Sequence, residues 1–308
     1  MYERFYGLGE RPFELTPNPR YLFLSPRHAE ALTMLKYGIC RRNGLTLLIG
    51  DAGTGKTTLV YAALEAQHGP ETFSMYLTNP ALTRDEFFES LADGFGLSSQ
   101  AGASKTRFLL ELSKSLADRQ AAGGVSALII DEAQCLPDTL LEEVRLFANI
   151  ETTTDKLLSI ILIGQPELAD RLNASSMRQL KQRVALRCAL SALDLGETTA
   201  YIGTRIRVAG GDGTTIFTGP AIEAIYRASS GIPRTISVIC ENVLISGFAL
   251  KRRPIGPEIV DEVCRDLAIG VQAEIVAPPA EVMAPPTEVI VPPAAAPTDE
   301  QPQRFSFF

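Results

Sequence analysis

The sequence has no tryptophan and only two histidines, His28 and His68, in 308 residues. Its five cysteines, Cys40, Cys135, Cys188, Cys240 and Cys264, are dispersed without CxxC or Cys/His spacing. A zinc site is therefore not expected, and the thiols read as reduced, mostly buried small hydrophobes. No apolar run approaches the roughly 18 residues needed to span a bilayer, and the N-terminus lacks the form of a signal peptide. The expectation is a soluble, cytoplasmic chain, at most peripheral at the inner face of the cytoplasmic membrane. Basic excess is missing too. The formal charge is −7, and residues 271–308 hold five acidic groups against one arginine. No global positive field advertises nucleic acid, so a DNA contact would need a local patch such as Arg178 to Arg187 or Lys251 to Arg253.

Against these absences stands one dense motif. Gly50-Asp51-Ala52-Gly53-Thr54-Gly55-Lys56-Thr57 follows the apolar run Leu45 to Ile49 and precedes Thr58, Leu59, Val60, Ala63 and Leu64, a helical apolar stripe. Backbone N–H groups of such a glycine-rich turn converge on an anion. Lys56 reaches the β- and γ-phosphates, and the Thr57 hydroxyl ligates Mg²⁺. The helix that follows adds the positive end of its dipole. This context sets it apart from an ordinary glycine turn and implies a nucleoside triphosphate, ATP, with Mg²⁺.

Hydrolysis also needs a metal-holding carboxylate and a base. Leu128-Ile-Ile-Asp131-Glu132-Ala-Gln134 supplies both at the end of an apolar strand, with Asp131 for the metal and Glu132 to polarise water. Taken alone, the two carboxylates would read as a helix cap. Leu157 to Gly164 is another buried strand, and Gln165 beyond it is placed to orient the lytic water, although Gln before Pro is also turn chemistry. The basic stretch Met177 to Arg187 reads either as a solvated helix face or as the source of an arginine finger for a neighbouring subunit's γ-phosphate. Arg183, at the helix-to-strand junction, is the first choice, with Arg178 and Arg187 as alternatives. Gly231-Ile-Pro-Arg234 puts an arginine at a helix start, where the dipole disfavours it. A phosphate would compensate, which makes Arg234 a candidate nucleotide contact.

Strands are expected at 45–49, 73–78, 125–130, 158–163 and 184–190. Helices are expected at 26–41, 57–67, 84–94, 105–121, 137–150 and 174–183, one of them opened by the capping box Thr83-Arg-Asp-Glu86. Alternating βα units with apolar strands imply a parallel five-stranded sheet between helix layers, with ligand at the strands' carboxyl ends. After Leu193 only helical patterns follow, near 196–209, 219–229, 234–250 and 256–268. The expected organisation is a segment packed on the core (1–27, rich in aromatics and proline, irregular), a nucleotide-binding α/β domain (28–192), a helical domain (193–270) and a disordered Pro-rich tail (271–308). The tail repeats Glu-φ-φ-φ-Pro-Pro, where φ is apolar or Ala, and reads as a spacer or docking peptide.

Phe5-Tyr-Gly-Leu, Pro12-Phe-Glu-Leu-Thr-Pro-Asn-Pro-Arg-Tyr-Leu-Phe-Leu-Ser25 and His28-x-Glu-Ala-Leu resemble the opening of the ExeA-like AAA+ ATPases of the general secretion pathway. The likeness continues through Thr78-Asn-Pro80, Asp131 to Gln134, Gly164 to Leu168, Gln179 to Arg183 and Gly231 to Arg234, over about residues 1–270. It implies the AAA+ form of the P-loop NTPase fold with a helical lid, homo-oligomers with ATP at subunit interfaces, and Arg183 acting in trans. It also implies Asn79 as a switch residue linking partner contact to Glu132. Related ATPases accompany exosortase and exopolysaccharide loci, and more distant ones serve transposition and DNA replication. The expected function is an ATPase that drives or regulates assembly of such cell-envelope machinery. The alternatives are a DNA-associated ATPase of the transposition-targeting type and a nucleotide-dependent scaffold.

Overall fold

Three apolar strands in a row, Leu45–Ile49, Val125–Ile130 and Ser159–Gly164, are buried along nearly their whole length. Only a sheet covered on both faces accommodates that pattern. The computed structural model shows such a sheet, describing residues 1–16, 18–41, 44–66, 72–78, 81–213 and 215–270. The tail expected at 271–308 lies outside the described residues.

In chain order, α1 (Tyr2–Tyr6) and α2 (Pro26–Arg41) precede β1 (Leu45–Ile49) and α3 (Lys56–Glu65). Next come β2 (Thr72–Leu77), α4 (Arg84–Phe95), α5 (Ser99–Ala103), α6 (Lys105–Ala121), β3 (Val125–Ile130) and α7 (Asp138–Phe147). Then β4 (Ser159–Gly164), α8 (Pro166–Asn173), α9 (Arg178–Lys181) and β5 (Val184–Ala189) complete the sheet region. Four helices follow: α10 (Leu195–Val208), α11 (Gly219–Ser229), α12 (Pro233–Ala249) and α13 (Pro257–Asp266). The five strands are parallel in the order β2-β3-β4-β1-β5.

Because side chains alternate along a strand, each central strand feeds two cores. Leu45, Leu47, Leu128, Ile130, Ile160 and Leu162 join the cluster beneath α4, α6 and α7. Leu48, Ala127, Ile129, Ile161 and Ile163 join the opposite cluster with α2 and α3. The register pairs Ile49 with Gly164 and Ile130 with Leu162. The residues that leave β1, β3 and β4 at their carboxyl ends are thereby brought side by side.

The capping box at Thr83 is present, with Glu86 Oε2 accepting from the Thr83 N–H at 2.8 Å. Two expectations need correction. The helix expected over 174–183 is broken: α8 begins at Pro166, a good first helical residue because it has no N–H to lose. Ala174 then turns extended (ψ 150), and a 3₁₀ turn over Ser175–Met177 and the single turn α9 follow before β5. The N-terminal segment is also not irregular throughout. It opens with α1, and its packing partner is the helical region. Tyr2, Tyr6, Leu8, Phe13 and Tyr21 share a buried cluster with residues of α10 to α13. The main chain is tied there as well, by Gly9 N–H to Ala209 O at 2.7 Å and by Arg205, whose Nε donates to Pro12 O at 2.6 Å. The Arg205 guanidinium also lies 4.8 Å from the centre of the Tyr21 ring.

Candidate functional site

Gly50 leaves β1 with its N–H still donating to Gly164 O (3.1 Å), so the loop starts from a fixed ladder position. Gly53 (φ +82) and Gly55 (φ +94) adopt the left-handed region, which glycine enters without the penalty a side chain incurs. Lys56 opens α3 and is 5% exposed. Its ammonium donates to Gly50 O (2.7 Å) and Asp51 O (3.0 Å). Burial lowers its pKa, opposed by the nearby carboxylates of Glu132, Asp131 and Asp51. An ammonium held only by two carbonyls, in a partly dry site, is poised for an anion.

Asp131 follows β3. Its Oδ2 accepts from the Thr57 hydroxyl (3.0 Å) and the Tyr76 hydroxyl (2.7 Å), and its Oδ1 from the Glu132 N–H (2.9 Å). Burial and the bond to Asp131 push the Tyr76 phenol pKa far up, so this hydroxyl stays a donor. Glu132 itself sits at φ 50, ψ 38, a conformation that costs a non-glycine residue about 1 kcal/mol. Gln165 immediately precedes α8, and its Nε2 donates to Glu132 Oε2 at 3.3 Å.

From the other side, Pro233 starts α12 and the Arg234 N–H donates to Gly53 O at 3.2 Å. A cavity of about 340 Å³ lies between these walls, lined by Ala52 to Thr58, Glu132 and Arg234. Glu14 to Thr16, Asn18 and Tyr21 to Phe23 of the N-terminal segment, with Tyr201 and Arg205, close it. The Thr57 hydroxyl and Asp131 carboxylate form a small set of hard oxygen donors. That set suits Mg²⁺, which keeps several waters and shares phosphate oxygens.

A family model described as AAA domain matches residues 40–172. General secretion pathway protein A of Aeromonas hydrophila is 42% identical over 250 residues, covering 81% of this chain and 45% of that protein. The chain belongs to the AAA+ proteins of the general secretion pathway protein A type. It spans less than half the length of this curated relative. Among solved structures, Cdc6p from Pyrobaculum aerophilum superposes with TM-score 0.64 at 18% identity, covering 83% of this chain and 70% of that one. The ORC2 protein of Aeropyrum pernix, in its ADPNP-ADP complexes, gives 0.61 at 16% identity, with 83% and 71% covered. The RuvB Holliday junction branch migration motor of Thermotoga maritima gives 0.50 at 19%, with 78% and 68% covered. At such identities the likeness speaks for the fold alone.

In this AAA+ chain the cavity lining takes in Ala52 to Thr58, Glu132 and Arg234, with Gly50 and Asp51 just before them in the loop, Asp131 bonded to Thr57 and Gln165 bonded to Glu132. Arg183 is elsewhere. It is exposed just before Val184, which pairs with Leu45 at the start of β1. The length of β1, about 16 Å, separates it from the phosphate loop of its own chain. Asn79 lies outside the described residues. Among the described residues, no helix is long and apolar enough to cross a membrane.

Sequence reasoning gave no roles to Tyr76, His28 or Gln134. His28 is buried and spans Ser25 Oγ (Nδ1, 2.8 Å) and Thr54 O (Nε2, 3.0 Å). A carbonyl only accepts, so Nε2 carries the proton and Nδ1 accepts from Ser25. The scarcity of histidine, with one preceding the phosphate loop, was the available signal. Tyr76 carried none, because its link to Asp131 depends on the β2-β3 register.

Proposed function

We propose that this chain binds and hydrolyses ATP at an interface between its own subunits. The cycle drives or regulates assembly of a secretion or cell-surface polysaccharide system, in the cytoplasm or at the inner face of the cytoplasmic membrane. The observation that carries the reading is the convergence of Lys56, Thr57, Asp131, Glu132 and Gln165 at the carboxyl ends of β1, β3 and β4. The cavity beside them is in the size range of small-ligand sites.

In this reading the loop amides from Ala52 to Thr57 cradle the phosphates, and Lys56 exchanges its two carbonyl partners for phosphate oxygens. Thr57 and Asp131 would hold Mg²⁺, which would supply charge neutralisation at the phosphates. Glu132 accepts the proton of the attacking water, while Gln165 orients that water. Arg234 contacts phosphate from the helical side. The position of Arg183, exposed and at the far end of the sheet, suits action on a neighbour's nucleotide. Asn79 keeps its role as a switch residue only through the family resemblance. The secretion setting rests on the likeness to General secretion pathway protein A, of which this chain covers 45%.

Glu132→Gln is expected to bind ATP within about twofold of the wild type and to lose about 10³-fold in turnover, the range typical of a general base. Lys56→Ala should lose tight binding instead. Fluorescent-nucleotide titration and phosphate release decide between them. Wild-type turnover by Glu132→Gln would overturn the assignment of the base.

A further inference from the structure

Gln134, two residues beyond the base, makes more contacts within this site than a loop residue needs. Its Nε2 donates to Glu132 Oε2 at 2.5 Å, and its Oε1 accepts from the Gln165 N–H at 3.1 Å. Its main-chain carbonyl accepts from Arg171 Nη1 at 2.6 Å, and Arg171 also pairs with Asp138. The amide can sit only one way round. Flipped, its oxygen would face a carboxylate and its NH₂ would face a backbone N–H. Gly164 leaves room for it, since a Cβ there would lie 2.9 Å from Gln134 Oε1.

Glu132 is therefore held from three directions. Its backbone is in the left-handed region, its N–H is bound to Asp131, and its Oε2 takes donors from both Gln134 and Gln165. With Oε2 occupied, Oε1 is the oxygen left for water. A strained backbone persists only where its surroundings over-determine it, and here the Glu132 N–H is bound to Asp131, its carbonyl accepts from the Cys135 N–H at 2.8 Å, and the two glutamines fix the side chain.

We propose that Gln134 is a positioning residue. It fixes the Glu132 carboxylate and ties it to the start of α8, so that the base and Gln165 form one unit with a single presented oxygen. This rests on the reading of Glu132 as the base. Gln134 is not among the residues that line the cavity and acts through Glu132, which is.

The test is steady-state ATP hydrolysis by Gln134→Leu and Gln134→Glu, the first removing the donor and the second replacing it with an acceptor. Both should lower kcat by about 10²-fold, the cost typical of a 1 Å misplacement of a reacting group. KM and nucleotide affinity should stay within about twofold. Combining Gln134→Leu with Glu132→Gln should cost no more than Glu132→Gln alone, because Gln134 acts only through that carboxylate. Gln134 is half-buried, so at least one variant should fold, as the melting temperature will show. Unchanged kcat in a folded variant would overturn the proposal, as would multiplicative losses or a rise in KM that accounts for the loss in kcat/KM. Should Glu132→Gln also retain turnover, the base assignment fails first. Loss in Glu132→Gln with none in Gln134→Leu would remove the positioning role alone.

Discussion

The two walls of the cavity are built in opposite ways. The sheet wall takes its groups from three short motifs, each leaving a strand whose neighbours fix its height to a single residue. The helical wall joins the first 23 residues of the chain to α10 and α12, nearly two hundred positions away. On the sheet side a side chain is placed by the ladder and is free to do chemistry. On the helical side, side chains such as Phe13 and Arg205 are themselves the structure. Substitutions in or beside the sheet wall should thus change rate with little change in stability, and those in the helical wall should do the reverse.

The largest effect expected is at Arg183, which belongs to the sheet domain and is proposed above to serve a neighbour. Arg183→Ala should lose about 10³-fold in turnover with an unchanged melting temperature, since the side chain is exposed. Mixed with Lys56→Ala protein it should regain activity, because some interfaces then hold one intact lysine and one intact arginine. Failure to regain activity at any ratio, with assembly intact, would remove Arg183 from the site and leave Arg178 and Arg187 to be tried.

Next is Phe13, 1% exposed within the helical cluster. Phe13→Ala should cost about 3 to 5 kcal/mol in denaturant unfolding, as for other buried aromatic truncations. The kcat at saturating ATP should remain near wild type while the protein stays folded. A loss of kcat without loss of stability would break the contrast between the walls.

The smallest effect is at alkaline pH. Burial pushes the Tyr6 and Tyr21 phenols up to about 12, with the Glu10 carboxylate adding to the effect at Tyr21. Their folded values exceed the ordinary value near 10. The stability from burying neutral phenols is therefore fully present below about pH 10 and is lost as pH rises through about 12. Melting temperatures measured across that window should fall more steeply for the wild type than for the Tyr6→Phe, Tyr21→Phe double variant. Parallel curves would show that burial does not hold these two phenols in their neutral form.

Much of the sheet wall was legible because its signals are local. Glycines at 50 and 55 before Lys56, and an apolar strand ending in Asp131-Glu132, mark the elements and point to the proposed chemistry within a dozen residues. The α8–α9 region was misread because no helix was expected from Pro166, and the one expected over 174–183 begins with an extended Ala174 that splits it from α8. The packing of residues 1–23 was illegible in detail. Aromatic density signals burial, but which surface receives Tyr6 or Phe13 is decided by contacts about two hundred positions away. Gln134 stood within the motif that named Glu132, yet its targets appear only when β3 and β4 are laid side by side.

Gly53 occupies a position where the phosphate-loop pattern tolerates any residue, but this chain does not. Its φ of +82 already disfavours a side chain, and a Cβ would lie 2.8 Å from Arg234 Cβ and 3.1 Å from Ile232 Cγ2. The glycine is thus required by the helical domain as much as by the phosphates. Changes acceptable at this loop position elsewhere in P-loop proteins would wedge the two domains apart here, so this position and the Ile232-Pro-Arg234 turn should vary together over evolutionary time.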